Sequence, residues 1–156
     1  MSKTKASHIL FICTGNTCRS PMAEVMARYL TRSIEGWGFS SAGLFASPGA
    51  PASSGALQVM NEKGLDLSGH RARLMNSSLL EEADWIIPMT RGHEQVLLET
   101  YSYPSEQVRT LMSFSSSGSA DVSDPFGGRP ETYRMVRDQI ESALSDLILA
   151  VIQPSG

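Results

Sequence analysis

The sequence contains very little cysteine. Among its 156 residues only Cys13 and Cys18 carry thiols. Two cysteines this close together do not make the disulfide framework of a small secreted domain. We therefore expect a protein of the reducing cytoplasm.

Long apolar runs and an excess of positive charge are missing as well. No segment approaches the roughly 20 apolar residues that a membrane-spanning helix needs, and no small-residue cleavage site of a signal peptide follows the short apolar stretch near the start. The formal net charge is −3, whereas nucleic-acid binding favours a basic surface. We expect no membrane association, no signal peptide and no nucleic-acid partner.

The chain does have the length and apolar content of one domain, residues 1–156, with 41% hydrophobic and 19% charged residues. The sequence predicts strands at 8–12, 39–42, 83–89 and 108–112, and helices at 20–32, 56–63, 92–99 and 130–152. Ser20 is the predicted N-cap of the first helix, and Pro21 is predicted to occupy its first helical position. Because strands and helices alternate, we expect an α/β fold with a parallel sheet flanked by helices on both faces.

The most informative stretch is ILFICTGNTCRSPMAE, residues 9–24, where a predicted strand leads through a loop into a predicted helix. Ligands of parallel sheets bind beyond the carboxyl ends of the strands, and a helix N-terminus offers free N–H groups and a positive dipole end. Gly15 and Asn16 let the loop curl, and Arg19 adds a planar fork suited to phosphate oxygens. The predicted phosphate-binding residues are Thr14, Gly15, Asn16, Thr17, Cys18, Arg19 and Ser20.

Cys13 lies at the start of this loop, where the same positive field favours a thiolate. A thiolate facing a bound phosphoryl group can attack phosphorus in line, and the Ser20 hydroxyl could donate to the sulfur when it leaves. A cysteine at a strand end is more often a small buried hydrophobe, but the flanking residues favour a nucleophile. We expect no metal site at Cys13 and Cys18, since no second Cys or His pair has ligand spacing.

Displacement from phosphorus also requires a proton donor on the side of the leaving group. Asp124, in the segment SDPFGG, is the candidate, and Phe126 could line a substrate slot beside it. On its own, Asp-Pro followed by two glycines indicates only a turn. The cysteine-containing loop is what favours a catalytic interpretation.

Together, CTGNTCRSPMAE and DPFGG resemble the low-molecular-weight protein tyrosine phosphatases. SAG at 41–43, GHRAR at 69–73, ADWIIPMT from Ala83 and YRMVRDQI in the last helix agree, so the resemblance covers nearly the whole chain. It implies a three-layer fold with a four-stranded parallel sheet, and phosphorylated proteins as substrates. It also implies a two-step hydrolysis through a phosphocysteine, without metal or cofactor.

The same resemblance implies roles for individual residues. Cys13 would be the nucleophile, Arg19 the phosphate clamp, Ser20 the stabiliser of the thiolate, and Asp124 the general acid and then the base. The residues that match the buried polar network supporting the loop in this family are Asn16, Ser41 and His70.

Two places in the sequence, residue 17 and the pair 126–127, bear on which phosphorylated residue is the substrate. Tyrosine-specific members usually carry Ile or Leu where this chain has Thr17, and paired tyrosines where it has Phe126 and Gly127. Thr17 and Phe126 together resemble the bacterial protein-arginine phosphatases of the same superfamily. A hydroxyl at Thr17 could meet a guanidinium, and an ionised Asp124 would attract its positive charge. The sequence favours phosphoarginine, with phosphotyrosine as the alternative.

Two further functions stay open at this point. An arsenate reductase on this fold needs cysteines beyond Cys18, which the chain lacks, and a non-catalytic phosphoprotein-binding module would not need an intact Cys13 and Asp124.

Cys18 is not required for hydrolysis, so we expect it to trap oxidised Cys13 as a reversible disulfide; packing alone is the alternative. We expect a monomer.

Overall fold

A parallel sheet of three strands forms the centre of the computed structural model, which describes residues 7–101, 105–117 and 121–153. The strands are β1 (Ser7–Cys13), β2 (Trp37–Gly43) and β3 (Trp85–Pro88), in the spatial order β2-β1-β3. In the central strand β1, Phe11 pairs with Ser41 on one side and Ile87 on the other. Residues 9–12 of this strand are all 0% exposed, as expected for an apolar strand covered on both faces.

Helices cover both faces of this sheet. Within the described residues the α-helices are α1 (Arg19–Leu30), α2 (Ser54–Asn61), α3 (Ser77–Glu82), α4 (Arg91–Thr100) and α5 (Pro130–Leu147), and a π-helical turn, Ile148–Ile152, extends α5. One apolar cluster joins Phe11 of β1 to α1, α2 and α5, and the other joins Leu10 to α3 and α4. Adjacent strand residues point to opposite faces, so the prediction of a sheet between two helical layers is confirmed.

The predicted fourth strand at 108–112 is wrong. Val108 makes only an isolated parallel bridge to Ile86, with the N–H of Arg109 donating to the Ile86 carbonyl at 3.1 Å. Short 3₁₀ helices, Ser105–Gln107 and Leu111–Phe114, lie on either side. They leave only residues 108–110 between them, too few for a ladder, so the described residues form three strands rather than four.

The start of α1 also differs from its prediction. The helix begins at Arg19, and its N-cap is Cys18, which makes no side-chain capping bond. Ser20 therefore lies inside the helix, and its hydroxyl bonds to Cys13 instead. The last helix begins at Pro130 as predicted, the boundaries of the helices predicted at 56–63 and 92–99 shift by one or two residues, and the six-residue helix α3, capped by Asn76, was not predicted. Between the predicted strand at 108–112 and the last helix the sequence indicates a long polar loop, and residues 118–120 of it lie outside the described residues.

The site-bearing loop is placed by β1 and α1. Residues 14–18 connect the carboxyl end of the central strand to the first turn of α1, which is where parallel sheets bind ligands. None of the described helices combines the length and the apolar composition of a membrane-spanning segment.

Candidate active site

The loop that follows β1 is tightly curled. Asn16 has φ of 56°, the only positive φ of a non-glycine residue in the described ranges, and asparagine tolerates this left-handed conformation. Gly43, at the end of β2, packs against the loop so closely that a Cβ there would lie 2.6 Å from the Thr14 carbonyl oxygen. The absence of a side chain at Gly43 is therefore what lets the loop lie against β2.

The buried side chain of Asn16 holds the loop from inside. Its Oδ1 accepts the backbone N–H of Arg73 at 2.9 Å, which fixes the orientation of the amide because a backbone N–H can only donate. Its Nδ2 then donates to the hydroxyls of Ser20 and Ser41, each at 2.9 Å. Ser41 in turn donates to Oε1 of Glu24 at 2.5 Å. Asn16 thus links the loop to α1, β2 and the segment after α2.

This network ends on Cys13. The Sγ of Cys13 lies 2.9 Å from Oγ of Ser20. Because the Ser20 hydroxyl already accepts a hydrogen from Asn16, its own hydrogen is available to the sulfur. When the sulfur is ionised it can only accept, so the Ser20 hydroxyl is then the donor, in a pocket where Cys13 is only 3% exposed.

Three further bonds fix the loop from outside, each to a main-chain carbonyl. Nε2 of His70 lies 2.6 Å from the carbonyl of Asn16; since a carbonyl only accepts, this nitrogen must carry the hydrogen. The N–H of Ser53 donates to the carbonyl of Thr17, and that of Phe45 to the carbonyl of Thr14, both at 2.9 Å. The loop is thus held along its whole length.

A cavity of about 240 Å³ opens over the loop. Its lining residues are Cys13, Thr14, Gly15, Thr17, Cys18, Arg19, Asp124 and Phe126. Arg19 is 5% exposed; its Nη1 donates to the carbonyl of Val122 at 3.0 Å, and its Nη2 lies 3.8 Å from Oδ2 of Asp124. A buried guanidinium beside a thiol and a carboxylate is suited to a phosphoryl group, whose oxygens it can meet in pairs.

Comparison with known proteins agrees with this arrangement. The family described as "Low molecular weight phosphotyrosine protein phosphatase" matches residues 8–154. The chain belongs to this family. It is therefore a cysteine-dependent protein phosphatase, a hydrolase whose substrates are phosphorylated proteins.

Relatives of this phosphatase have been assigned to two specificities. The chain is 38% identical to a protein-arginine-phosphatase of Geobacillus stearothermophilus, over 89% of this chain and 92% of that protein. It is 36% identical to a probable low-molecular-weight protein-tyrosine-phosphatase, EpsP, of Ralstonia nicotianae, over 76% and 77%. A solved YwlE arginine phosphatase variant with a phosphorylated active-site serine superposes with a TM-score of 0.88 at 34% identity, covering 94% of this chain and 97% of that one.

All the residues predicted for the phosphatase site come together. The predicted phosphate-binding and catalytic residues line the cavity or bond to the loop beneath it, and Asn16, Ser41 and His70 lie in the supporting network. Asp124 is exposed over 59% of its side chain, and its Oδ1 accepts the N–H of Phe126 at 3.1 Å. Phe126 is 75% exposed, so it forms an outer wall of the phosphatase cavity.

The side chain of Cys18 lies between the N-cap residue of α2 and the side of α5. Its Sγ is 3.2 Å from Oγ of Ser53 and 3.6 Å from the hydroxyl of Tyr133. Both cysteines of the phosphatase are free thiols. Among the residues that the structure describes, no group of three or more His, Cys, Asp or Glu side chains is placed to hold a metal ion.

One neighbour of the phosphatase site was not predicted from the sequence. His93, in the first turn of α4, has Nε2 within 2.8 Å of Oγ1 of Thr14. Burial, and then the positive charge of Arg19, lower the pKa of His93 to about 4. A lone histidine in a helix gives no sequence signal of such a contact, because the contact depends on β3 lying next to β1.

Proposed function

We propose that this phosphatase removes phosphate from phosphoarginine in proteins, with Cys13 as the nucleophile. The observation that carries the proposal is that the Thr17 side chain and the Asp124 carboxylate line one cavity with Cys13 and Arg19. A guanidinium leaving group is rich in N–H donors and needs such oxygen acceptors. The activity named for the Geobacillus relative supports this substrate.

In the proposed first step, Arg19 and the loop hold the phosphoryl oxygens while the Cys13 thiolate attacks phosphorus. The S–P bond forms and the P–N bond breaks, with its electron pair remaining on the guanidine nitrogen. Asp124, protonated at that moment, gives its proton to this nitrogen. The products of the step are the free arginine side chain and a phosphocysteine.

In the second step, Asp124 has become a carboxylate and takes a proton from an incoming water. The water oxygen bonds to phosphorus, the P–S bond breaks, and inorganic phosphate leaves. The Ser20 hydroxyl, 2.9 Å from Sγ, donates to the departing thiolate, since a hydrogen bond to the charged form stabilises it. The serine phosphorylated in the solved YwlE variant supports a covalent phosphoenzyme.

Phosphotyrosine is the second candidate substrate, and the observation that favours it is the position of the Phe126 ring, although a phenylalanine at 126 is itself a feature shared with the arginine phosphatases. Its exposed ring borders the cavity, and a tyrosine ring could pack against it edge to face. The activity named for the Ralstonia relative points the same way. Direct comparison of the two substrates distinguishes the candidates.

We expect kcat/KM for a phosphoarginine peptide to exceed that for the matched phosphotyrosine peptide, and Thr17→Ile to lower this ratio. We expect this ratio to fall by about 10-fold or more in Thr17→Ile, because N–H donors of the guanidinium are left without the Thr17 hydroxyl as acceptor. Thr17→Ser, which keeps the hydroxyl, is the matched control and should retain most of the ratio. A tyrosine preference in the unmodified enzyme would overturn the proposal; an unchanged ratio in Thr17→Ile would remove Thr17 from it.

We also propose that Cys13 and Cys18 form a reversible disulfide. Peroxide would oxidise the Cys13 thiolate to a sulfenic acid, and the Cys18 thiolate would then displace hydroxide from that sulfur to form the S–S bond. We propose that the enzyme acts in the cytoplasm as a monomer. Cytoplasmic thiols would reduce the Cys13–Cys18 disulfide there. After peroxide treatment, a dithiol should restore activity to the unmodified enzyme but poorly to Cys18→Ala, as measured by phosphatase assay; equal recovery would assign Cys18 to packing.

A further inference from the structure

The contact between His93 and Thr14 takes no part in the two proposed catalytic steps. His93 is 8% exposed, and its N–H donates to Oγ1 of Thr90 at 3.0 Å, which fixes the first turn of α4. Nε2 reaches Oγ1 of Thr14 at 2.8 Å, while Nδ1 is buried and has no hydrogen-bond partner among the described residues. The imidazole is therefore committed to a single polar contact, the one with Thr14.

The charge state of this histidine follows from its surroundings. Burial and then the positive charge of Arg19 lower its pKa, and the smaller effects of the Asp121 and Asp124 carboxylates only partly oppose them, leaving a value of about 4. The imidazole is neutral at neutral pH, so it adds no positive charge that would repel a cationic leaving group. It acts on Thr14 as a dipole of fixed position.

The Thr14 hydroxyl retains a free acceptor site whichever atom donates. If Nε2–H donates to Oγ1, one of the two oxygen lone pairs stays free; if the hydroxyl donates to Nε2, both do. Thr14 is exposed and lines the same cavity as Thr17 and Asp124. The cavity wall therefore carries a second threonine, held by a buried partner.

We propose that Thr14 and His93 form a second specificity element for phosphoarginine, in which His93 is a positioning residue acting through Thr14. His93 holds the Thr14 hydroxyl at the cavity wall, and the free lone pair of Oγ1 accepts an N–H of the guanidinium leaving group. A phenyl leaving group has no donor to give, so the contact favours phosphoarginine. This inference rests on the proposed phosphoarginine activity and deepens it.

The test compares kcat/KM for a phosphoarginine peptide with kcat/KM for p-nitrophenyl phosphate, whose leaving group lacks N–H donors. Thr14→Val should lower this ratio by about 5- to 10-fold, the size expected for one net hydrogen bond, whereas Thr14→Ser should largely keep it. His93→Asn, whose amide reaches only the Nδ1 position, should also lower the ratio. His93→Gln, whose amide reaches the Nε2 position, should restore most of it.

A double-mutant cycle tests whether His93 acts through Thr14. The ratio in Thr14→Val/His93→Asn should be no lower than in Thr14→Val alone, because the hydroxyl that His93 holds is already gone. His70→Ala is the matched control: it removes a histidine that bonds to the Asn16 carbonyl rather than to Thr14. Any effect of His70→Ala on the ratio should therefore multiply with that of Thr14→Val.

The outcomes separate the inference from the proposed function. Unmodified enzyme that turns over p-nitrophenyl phosphate but not phosphoarginine would overturn both. Two outcomes would overturn the inference alone. In the first, the enzyme is active on phosphoarginine but Thr14→Val leaves the ratio of kcat/KM values unchanged. In the second, the effects of Thr14→Val and His93→Asn on that ratio multiply in the double variant. If His93→Asn lowers the melting temperature strongly, the comparison of Thr14→Val with Thr14→Ser still decides whether the hydroxyl matters.

Discussion

Cys13→Ser is expected to lower kcat for phosphoprotein hydrolysis by roughly 10⁴-fold or more, as removal of other catalytic nucleophiles does. A hydroxyl is far less ionised than a thiol at neutral pH and so attacks phosphorus poorly. The substitution is nearly isosteric, and the bonds that Asn16 makes to Ser20 and Ser41 do not involve the sulfur. The loop should therefore keep its shape and still bind inorganic phosphate, measurable as protection against thermal unfolding.

Cys18→Ser is the matched control for this prediction. It makes the same chemical change in the same loop, but its sulfur faces Ser53 and Tyr133 rather than the donor network that ends on Cys13. Its loss of kcat should be smaller by orders of magnitude. Comparable losses in the two variants would contradict the assignment of Cys13, as would substantial turnover by Cys13→Ser.

Apart from Asp124 and Phe126, the site residues that the sequence predicted without the family resemblance are local along the chain. Cys13 ends a buried strand, Arg19 starts a helix, and Asn16 between them adopts the left-handed conformation that asparagine tolerates. These features need only the order of residues in one short segment, so their pattern was sufficient. The same holds for the central strand, whose unbroken apolar run predicted burial on both faces.

The errors arise where a tertiary contact competes with a local preference. Ser20 has the side chain of an N-cap, but its hydroxyl bonds to Cys13, and the helix starts one residue earlier. The apolar residues Val108 and Leu111 are buried as a strand would require, yet 3₁₀ turns prevent a ladder. The apolar composition of that segment predicted its burial correctly, but it predicted the wrong backbone conformation.

His93 shows a different limit of sequence reasoning. Its contact with Thr14 joins residues 79 positions apart in the chain, and it exists because β3 pairs with β1 and directs the start of α4 towards the loop. His70 reaches the other side of the loop across 54 positions, and it was named only through a family resemblance. Supports of this kind depend on topology, which short sequence patterns do not encode.

Asp124→Asn is expected to reduce kcat/KM for a phosphoarginine peptide by roughly 10²- to 10³-fold, within the range of general acid–base catalysis. Asparagine preserves the shape of the side chain and can still accept the N–H of Phe126, a bond of 3.1 Å in the structure. It cannot give a proton to the departing guanidine nitrogen. The loss should be much smaller with p-nitrophenyl phosphate, because p-nitrophenolate leaves without being protonated.

Asp121→Asn provides the control for charge alone. This carboxylate precedes Asp124 in the same segment and accepts the N–H of Arg91 at 2.8 Å, but it does not line the cavity. We expect a small loss that is similar for both substrates, since only a long-range charge is removed. Initial-rate assays of Asp124→Asn and Asp121→Asn with the phosphoarginine peptide and with p-nitrophenyl phosphate give the kcat/KM values to compare. An equal loss on both substrates in Asp124→Asn would show that Asp124 acts by some means other than protonating the leaving group, because only the guanidine needs that proton.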